Sequence, residues 1–152
     1  MRRMQHAGIE ADIPAGWETQ TSGGGLRALG DGPQETNLVH IGSFPLPAEQ
    51  ATFGSTAVEL MNSDDMLIIL FEYDPESAGT ALFAHQGIPR PLDPKLFDRN
   101  ALQRGIQGQS GLQQFFTENG RPFCLYVVLG SHIDRVELVA RVNQILESLV
   151  IR

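Results

Sequence analysis

Apolar and polar positions along the chain fall into short patterned stretches punctuated by turn-forming residues. Ile9 to Pro14 alternates apolar and polar side chains, breaks at Pro14-Ala15-Gly16 and resumes at Trp17-Glu18-Thr19. That pattern predicts two short strands around a tight turn, with Trp17 as a core anchor. Leu38 to Phe44 again has strand character and ends at Pro45-Leu46-Pro47. Ala57 to Met61 predicts a short strand, and Asn62-Ser63-Asp64-Asp65 a turn. Met66 to Tyr73 is apolar on both faces, as expected of a strand covered on two sides at the centre of a sheet. Asp74-Pro75-Glu76 looks like a helix start, with Asp74 as cap and Pro75 in the first turn, and predicts a helix running toward Gln86 through Gly79.

Between Gly87 and Gly108 the chain carries Pro89, Pro91 and Pro94 without a sustained period. At most one helical turn opens there, at Asp93-Pro94. Long irregular connections are often functional, which marks this segment. Beyond it, Leu112 to Glu118 and Arg121 to Leu129 flank Asn119-Gly120, a strong hairpin signal because both turn residues must take positive φ. Counting outward pairs Glu118 with Arg121, Phe116 with Phe123 and Gln114 with Leu125. Pro122 then falls opposite Thr117 in a non-hydrogen-bonded pair, where its missing N–H removes no bond within the hairpin. Ser131-His132-Ile133-Asp134 fits a capping box. The helix that follows, to about Ser148, carries Val136, Val139, Val142, Leu146 and Leu149 on one broad face, with Glu137 and Arg141 spaced for an i,i+4 ion pair.

Composition narrows the reading. The 152 residues are 41% apolar and 19% charged, enough for one domain over 1–152 with its own core. A net charge of −7 and no basic patch argue against nucleic acid as a partner. The longest apolar runs, Met66 to Phe71 and Cys124 to Leu129, are far below the ~20 residues that cross a bilayer, so no membrane partner is expected. Arg2-Arg3 lacks the apolar stretch of a signal peptide and reads as solvated residues at a chain end. The single Cys124 suits a reducing compartment, and the expected location is cytoplasmic.

Candidate chemistry is sparse. Thr21 to Thr36 is glycine-rich and reads as a surface loop. Within it, Gly23-Gly24-Gly25-Leu26-Arg27-Ala28 superficially matches a dinucleotide-binding turn, but Gly30, Gly32 and Pro33 forbid the helix such a turn requires. Cys124 sits in an apolar strand without a base nearby in sequence and reads as a small buried hydrophobe. His6, His40, His85 and His132 show no metal-ligand spacing, and His6 and His132 read as solvent-facing. Asp64-Asp65, Asp74 and Glu76 lack a calcium-loop pattern and read as turn and cap. Ser110 misses the nucleophile-elbow pattern and reads as a loop serine. No catalytic residue, cofactor or metal is expected.

The segment Gly8 to Glu18, with its strand leading into proline-glycine-tryptophan, resembles the PsbP-like family. So does the close of the chain: strand Phe123 to Leu129, helix Asp134 to Ser148, and Ser148-Leu149-Val150-Ile151. The resemblance implies an antiparallel sheet sandwiched by helices and a mostly non-catalytic role, as in photosystem accessory subunits, a nuclear-import GTPase cofactor, bacterial lipoproteins and secretion chaperones. The chain lacks the signal and lipid-attachment cysteine of exported members. It also resembles small uncharacterised actinobacterial proteins, which implies no function.

The expected fold is therefore α+β, a mainly antiparallel sheet of about six or seven strands packed against a C-terminal helix. The expected function is an accessory or chaperone-like protein-binding module; the alternative is a small-molecule-binding protein or enzyme with its site under the 87–108 loop. Two strands apolar on both faces, with one confident helix to cover them, further predict a homodimer through Ile88, Leu92, Leu96 and Phe97.

Overall fold

The computed structural model describes residues 1–23, 37–47 and 56–152. The glycine-rich stretch from Gly24 to Thr36 lies outside them. Among the described residues stand eight strands, β1 (Arg2–His6), β2 (Ile9–Ile13), β3 (Glu18–Ser22), β4 (Leu38–Gly42), β5 (Met66–Glu72), β6 (Ser110–Glu118), β7 (Arg121–Leu129) and β8 (Val150–Ile151), with helix α1 (Arg135–Ser148) before the last. The fold is α+β, mainly antiparallel sheet with one α-helix. The strands divide into two sheets, ordered β1-β2-β8 and β3-β4-β5-β7-β6.

The hairpin pairs as its turn dictates, Glu118 with Arg121, Phe116 with Phe123 and Gln114 with Leu125. Asn119 and Gly120 take φ of 55° and 79°. β5 lies between β4 and β7, at the centre of the larger sheet. Its Met66, Ile68 and Leu70 join Phe123, Leu125, Val127 and Leu129 on one face, packed with the small sheet's Met4, Ile9, Ala11 and Ile13 and with α1. On the opposite face, Leu67, Ile69, Tyr126 and Val128 form a second cluster with Phe44, Leu46, Ala57 and Val58, against which Met61, Leu102 and Ile106 also pack. Beside it, the Tyr73 ring meets those of Phe71, Phe83 and Phe115. The second face is thus covered by the chain's own loops and short turns, where a helical layer was expected. The shortage of cover from which self-association was inferred is met within the protomer.

Several local expectations change for identifiable reasons. The N-terminal arginines belong to β1, which pairs along its length with β2. Its hairpin turn is Ala7-Gly8, both at positive φ, and alanine gives no turn signal. The turn before Trp17 forms, with Trp17 N–H donating to the Pro14 carbonyl at 3.2 Å. The strands around it do not pair: β2 enters the small sheet and β3 the large one. Ala57–Leu60 is a 3-10 helix, not a strand; two buried residues followed by two exposed ones do not alternate. The helix expected from Asp74 to Gln86 is two 3-10 helices, Pro75–Gly79 and Ala81–Phe83. Thr80 ends the first by donating its hydroxyl and its N–H to the Ser77 carbonyl.

The expected capping box does not form: Ser131 Oγ accepts from Asp134 N–H at 3.3 Å, but the helix begins at Arg135 with Asp134 at its N-cap and no side-chain cap. The buried stripe of α1 is Leu138, Val139, Val142, Ile145 and Leu146. Val136 lies roughly 120° from the stripe's centre at ~100° per residue and is 70% exposed. Glu137 and Arg141 form no ion pair among the described residues; the Arg141 guanidinium instead sits 6.0 Å from the centre of the Trp17 ring.

Candidate functional site

The parity of β6 decides where its backbone bonds go. Thr117 opposite Pro122 is a non-hydrogen-bonded pair, so the N–H and C=O groups of Gly111, Gln113, Phe115 and Thr117 point away from β7. Two of the four find partners. Thr117 donates to the His85 carbonyl and accepts from Gly87 N–H, each at 2.8 Å. Gly111 exchanges a pair of bonds with Asp98, at 2.9 and 3.0 Å. Between these bridges the connecting chain leaves the strand edge and detours toward α1.

Helix α1 holds the detour at two points. The Arg90 guanidinium donates to the carbonyls of Leu146 and Leu149 at 2.6 and 2.8 Å, placing a cation at the negative end of the helix. The Asn143 side chain accepts from Leu92 N–H at 2.8 Å and donates to the Leu92 carbonyl at 3.1 Å. The predicted single turn is Pro94–Leu96, with the Asp93 carboxylate accepting from Lys95 N–H at 2.9 Å.

A cleft of about 290 Å³ lies between strand and detour, lined by His85, Ile88, Pro89, Arg90, Pro91, Leu92, Asp93, Leu96 and Gln114. Of the residues expected at an interface, Ile88, Leu92 and Phe97 are buried in the protomer's own core, and only Leu96 is exposed, at 54%. A smaller hollow of about 210 Å³ lies at the Pro14–Trp17 turn beside Met1 and Arg2.

The other candidates do not join the cleft. His40 is buried on β4, and desolvation lowers its pKa to about 4. Cys124 lies on the same face of the sheet, two strands across and two residues along from His40, roughly 12 Å away by sheet geometry. Burial pushes its thiol up to about 11, so it is protonated and unreactive at neutral pH. His6 belongs to β1, with Nε2 3.1 Å from the Ser22 carbonyl. His132 is half-buried, and its Nδ1 is enclosed without a partner among the described residues. Ser110 opens β6 and is fully buried rather than a loop residue. Asp65 is a bracket: its carboxylate accepts from Ser43 Oγ at 2.9 Å and Asn62 N–H at 2.8 Å. Among the described residues, no three His, Cys, Asp or Glu side chains gather as a metal site requires.

The hairpin register was itself a signal for the edge, because a proline opposite Thr117 fixes which β6 residues face outward. What the sequence withheld is that residues 85–87 and Asp98 return to that edge.

No family model matches the chain, and neither a curated protein nor a solved structure matches it.

Proposed function

We propose that the protein is a non-catalytic accessory or chaperone-like module that binds another protein at the cleft between β6 and the 88–97 detour, without a cofactor. The observation that carries this reading is Leu96, held exposed at the lip of a cleft whose inner wall is Ile88 and Leu92. One exposed leucine is ordinary on a protein surface. This one continues an apolar wall, on a segment tied down by Arg90 and Asn143. A volume of about 290 Å³ stands at the lower bound of small-molecule pockets, roughly 300 Å³, and suits one or two side chains of a partner. The PsbP-like family, which the two ends of the chain resemble in sequence, is mostly non-catalytic, in keeping with the reading.

No helix of the described residues is long and apolar enough to cross a membrane. The lone buried thiol suits a reducing compartment, and we place the protein's action in the cytoplasm. We take the partner to be a different protein; sedimentation equilibrium checks this against the homodimer expected from the sequence, which a clean monomer at high micromolar concentration would exclude.

The test is affinity purification of the tagged chain from its own host, in parallel with Leu96→Asp. A partner lost with Leu96→Asp, at unchanged melting temperature, supports the reading; the same partners on both chains overturn it. The second reading, a small-molecule site under the 87–108 loop, draws on His85, Asp93 and Gln114 at the same cleft. It is favoured if native mass spectrometry finds a retained small molecule that His85→Ala releases.

A further inference from the structure

We infer that the cleft takes its partner by strand addition, pairing a short, acidic, extended peptide segment with the free stretch of β6 at Gln113 and Phe115. This rests on the reading of the cleft as a protein-binding surface and adds its mode and ligand class.

The backbone supplies the first argument. The N–H and C=O groups of Gln113 and Phe115 point outward like those of Gly111 and Thr117, yet no hydrogen bond reaches them from the described residues. Both residues are half-buried, beside the cleft that Gln114 lines. Unpaired strand edges are templates for another strand, and folded proteins usually blunt them. The remaining edges here are blunted. Arg2 of β1 reaches across to Thr19 Oγ1 and the Trp17 carbonyl beside β3, His6 reaches the Ser22 carbonyl, and β8 is two residues long. Among the described residues, the β6 edge is covered at its two ends. From Gly111 to Thr117 spans roughly 20 Å at ~3.4 Å per residue, so the incoming strand is limited to a few residues. Main-chain bonds would give it affinity, and a side chain placed against Ile88, Leu92 and Leu96 would give it specificity.

Charge supplies the second. Between His85 and Arg104 stand four basic residues (Arg90, Lys95, Arg99, Arg104) and two acidic ones (Asp93, Asp98), a local surplus of two in a chain of net charge −7. Arg104 pairs with Glu59, and Arg90 is spent on the carbonyls of α1. The two carboxylates close local turns, accepting from Lys95 N–H and Asn100 N–H. Lys95 and Arg99 are exposed and form no ion pair among the described residues. With Arg104 set against Glu59, three cations (Arg90, Lys95, Arg99) still face two carboxylates (Asp93, Asp98) along the detour of an otherwise acidic protein, a balance that favours an acidic segment over a basic one.

The experiment pans a phage library of random linear peptides on the folded full-length chain and carries the enriched peptides into two measurements. The first is affinity for Gln113→Pro, a substitution that removes an outward N–H and no bond within the sheet. The second is amide exchange of the unaltered protein, with and without peptide. We expect acidic peptides with an apolar residue, weakened by roughly tenfold or more in Gln113→Pro, the factor of one interface hydrogen bond. We also expect slowed exchange at the Gln113 and Phe115 amides, a readout that stands even if the proline variant misfolds. Peptides that need Leu96 but leave those amides unprotected would overturn strand addition and leave the protein-binding reading intact. Failure to enrich any peptide dependent on the cleft would count against both. Basic peptides, or a sedimenting dimer abolished by Gln113→Pro, would overturn the acidic occupant.

Discussion

Burial governs the two side chains whose chemistry invites a catalytic reading. Cys124 has no exposed surface, and Gln113 Nε2 contacts its sulfur at 3.5 Å. A thiol reagent at neutral pH should modify native protein no faster than global opening allows; stoichiometric labelling within seconds would contradict the burial. His40 is 2% exposed, its Nε2 has no partner among the described residues, and Gln20 and Ile69 stand beside it in the neighbouring strands. Its folded pKa of about 4 lies below the unfolded value of 6.5, so the unfolded chain binds the proton first. Stability should therefore be full above pH 6.5 and fall as pH drops from 6.5 toward 4, by roughly 3 kcal/mol at the lower end. Urea titrations of wild type and His40→Leu at pH 7 and pH 4.5 isolate this contribution, since the carboxylates act alike in both. An equal acid loss in the two proteins would refute it.

At the scale of elements, local chemistry speaks clearly where turn and strand agree and fails where an element exists only through its neighbours. Asn119-Gly120 specifies its own turn, and the hairpin register follows from counting. Ala7-Gly8 makes the same kind of turn without announcing it, because Ala7 enters positive φ only with β2 and the rest of the sheet to hold it. A β-carbon there costs about 1 kcal/mol, so Ala7→Gly, which removes it, should raise stability by up to a similar amount in equilibrium unfolding, net of the glycine's larger chain entropy. The 3-10 segments at 75–83 escape sequence reading for the opposite reason: Pro75 starts a helix well, but nothing in the next turn sustains it. The cleft was half legible. Its prolines marked the segment as irregular, whereas its clamps, Arg90 and Asn143, act on partners more than fifty positions away. Arg90→Ala should cost about 1–2 kcal/mol through the lost bonds to helix carbonyls. It should also speed amide exchange at Leu92 more than at Leu125. Uniform acceleration would mean the guanidinium stabilises the protein without holding the detour.

For the whole molecule, the main lesson of the structure is that one chain covers both faces of its larger sheet with dissimilar materials. The small sheet and α1 close one face; loops and aromatic rings close the other. Trp17 stands where the chain passes from the first sheet to the second, 7% exposed and within the larger core. Trp17→Ala should cost about 3–5 kcal/mol, the range for losing a large buried aromatic, and lower the melting temperature of both sheets together. Separate transitions by near- and far-ultraviolet circular dichroism would show instead that the two sheets unfold independently.

The pairing of Ile9 with Ile151 has a consequence for how the protein is made. These residues are 142 positions apart (151 − 9), so a ribosome adding ~5–20 residues per second delivers the second roughly 7–30 s after the first. Throughout that interval β2 has a nascent edge with no β8 to close it. Arg3, Glu10 and Asp12, linked by ion pairs across the β1–β2 ribbon, place charge along it during the wait. The same cross-strand charges that add little to the finished fold would keep two nascent chains from zipping together on one polysome.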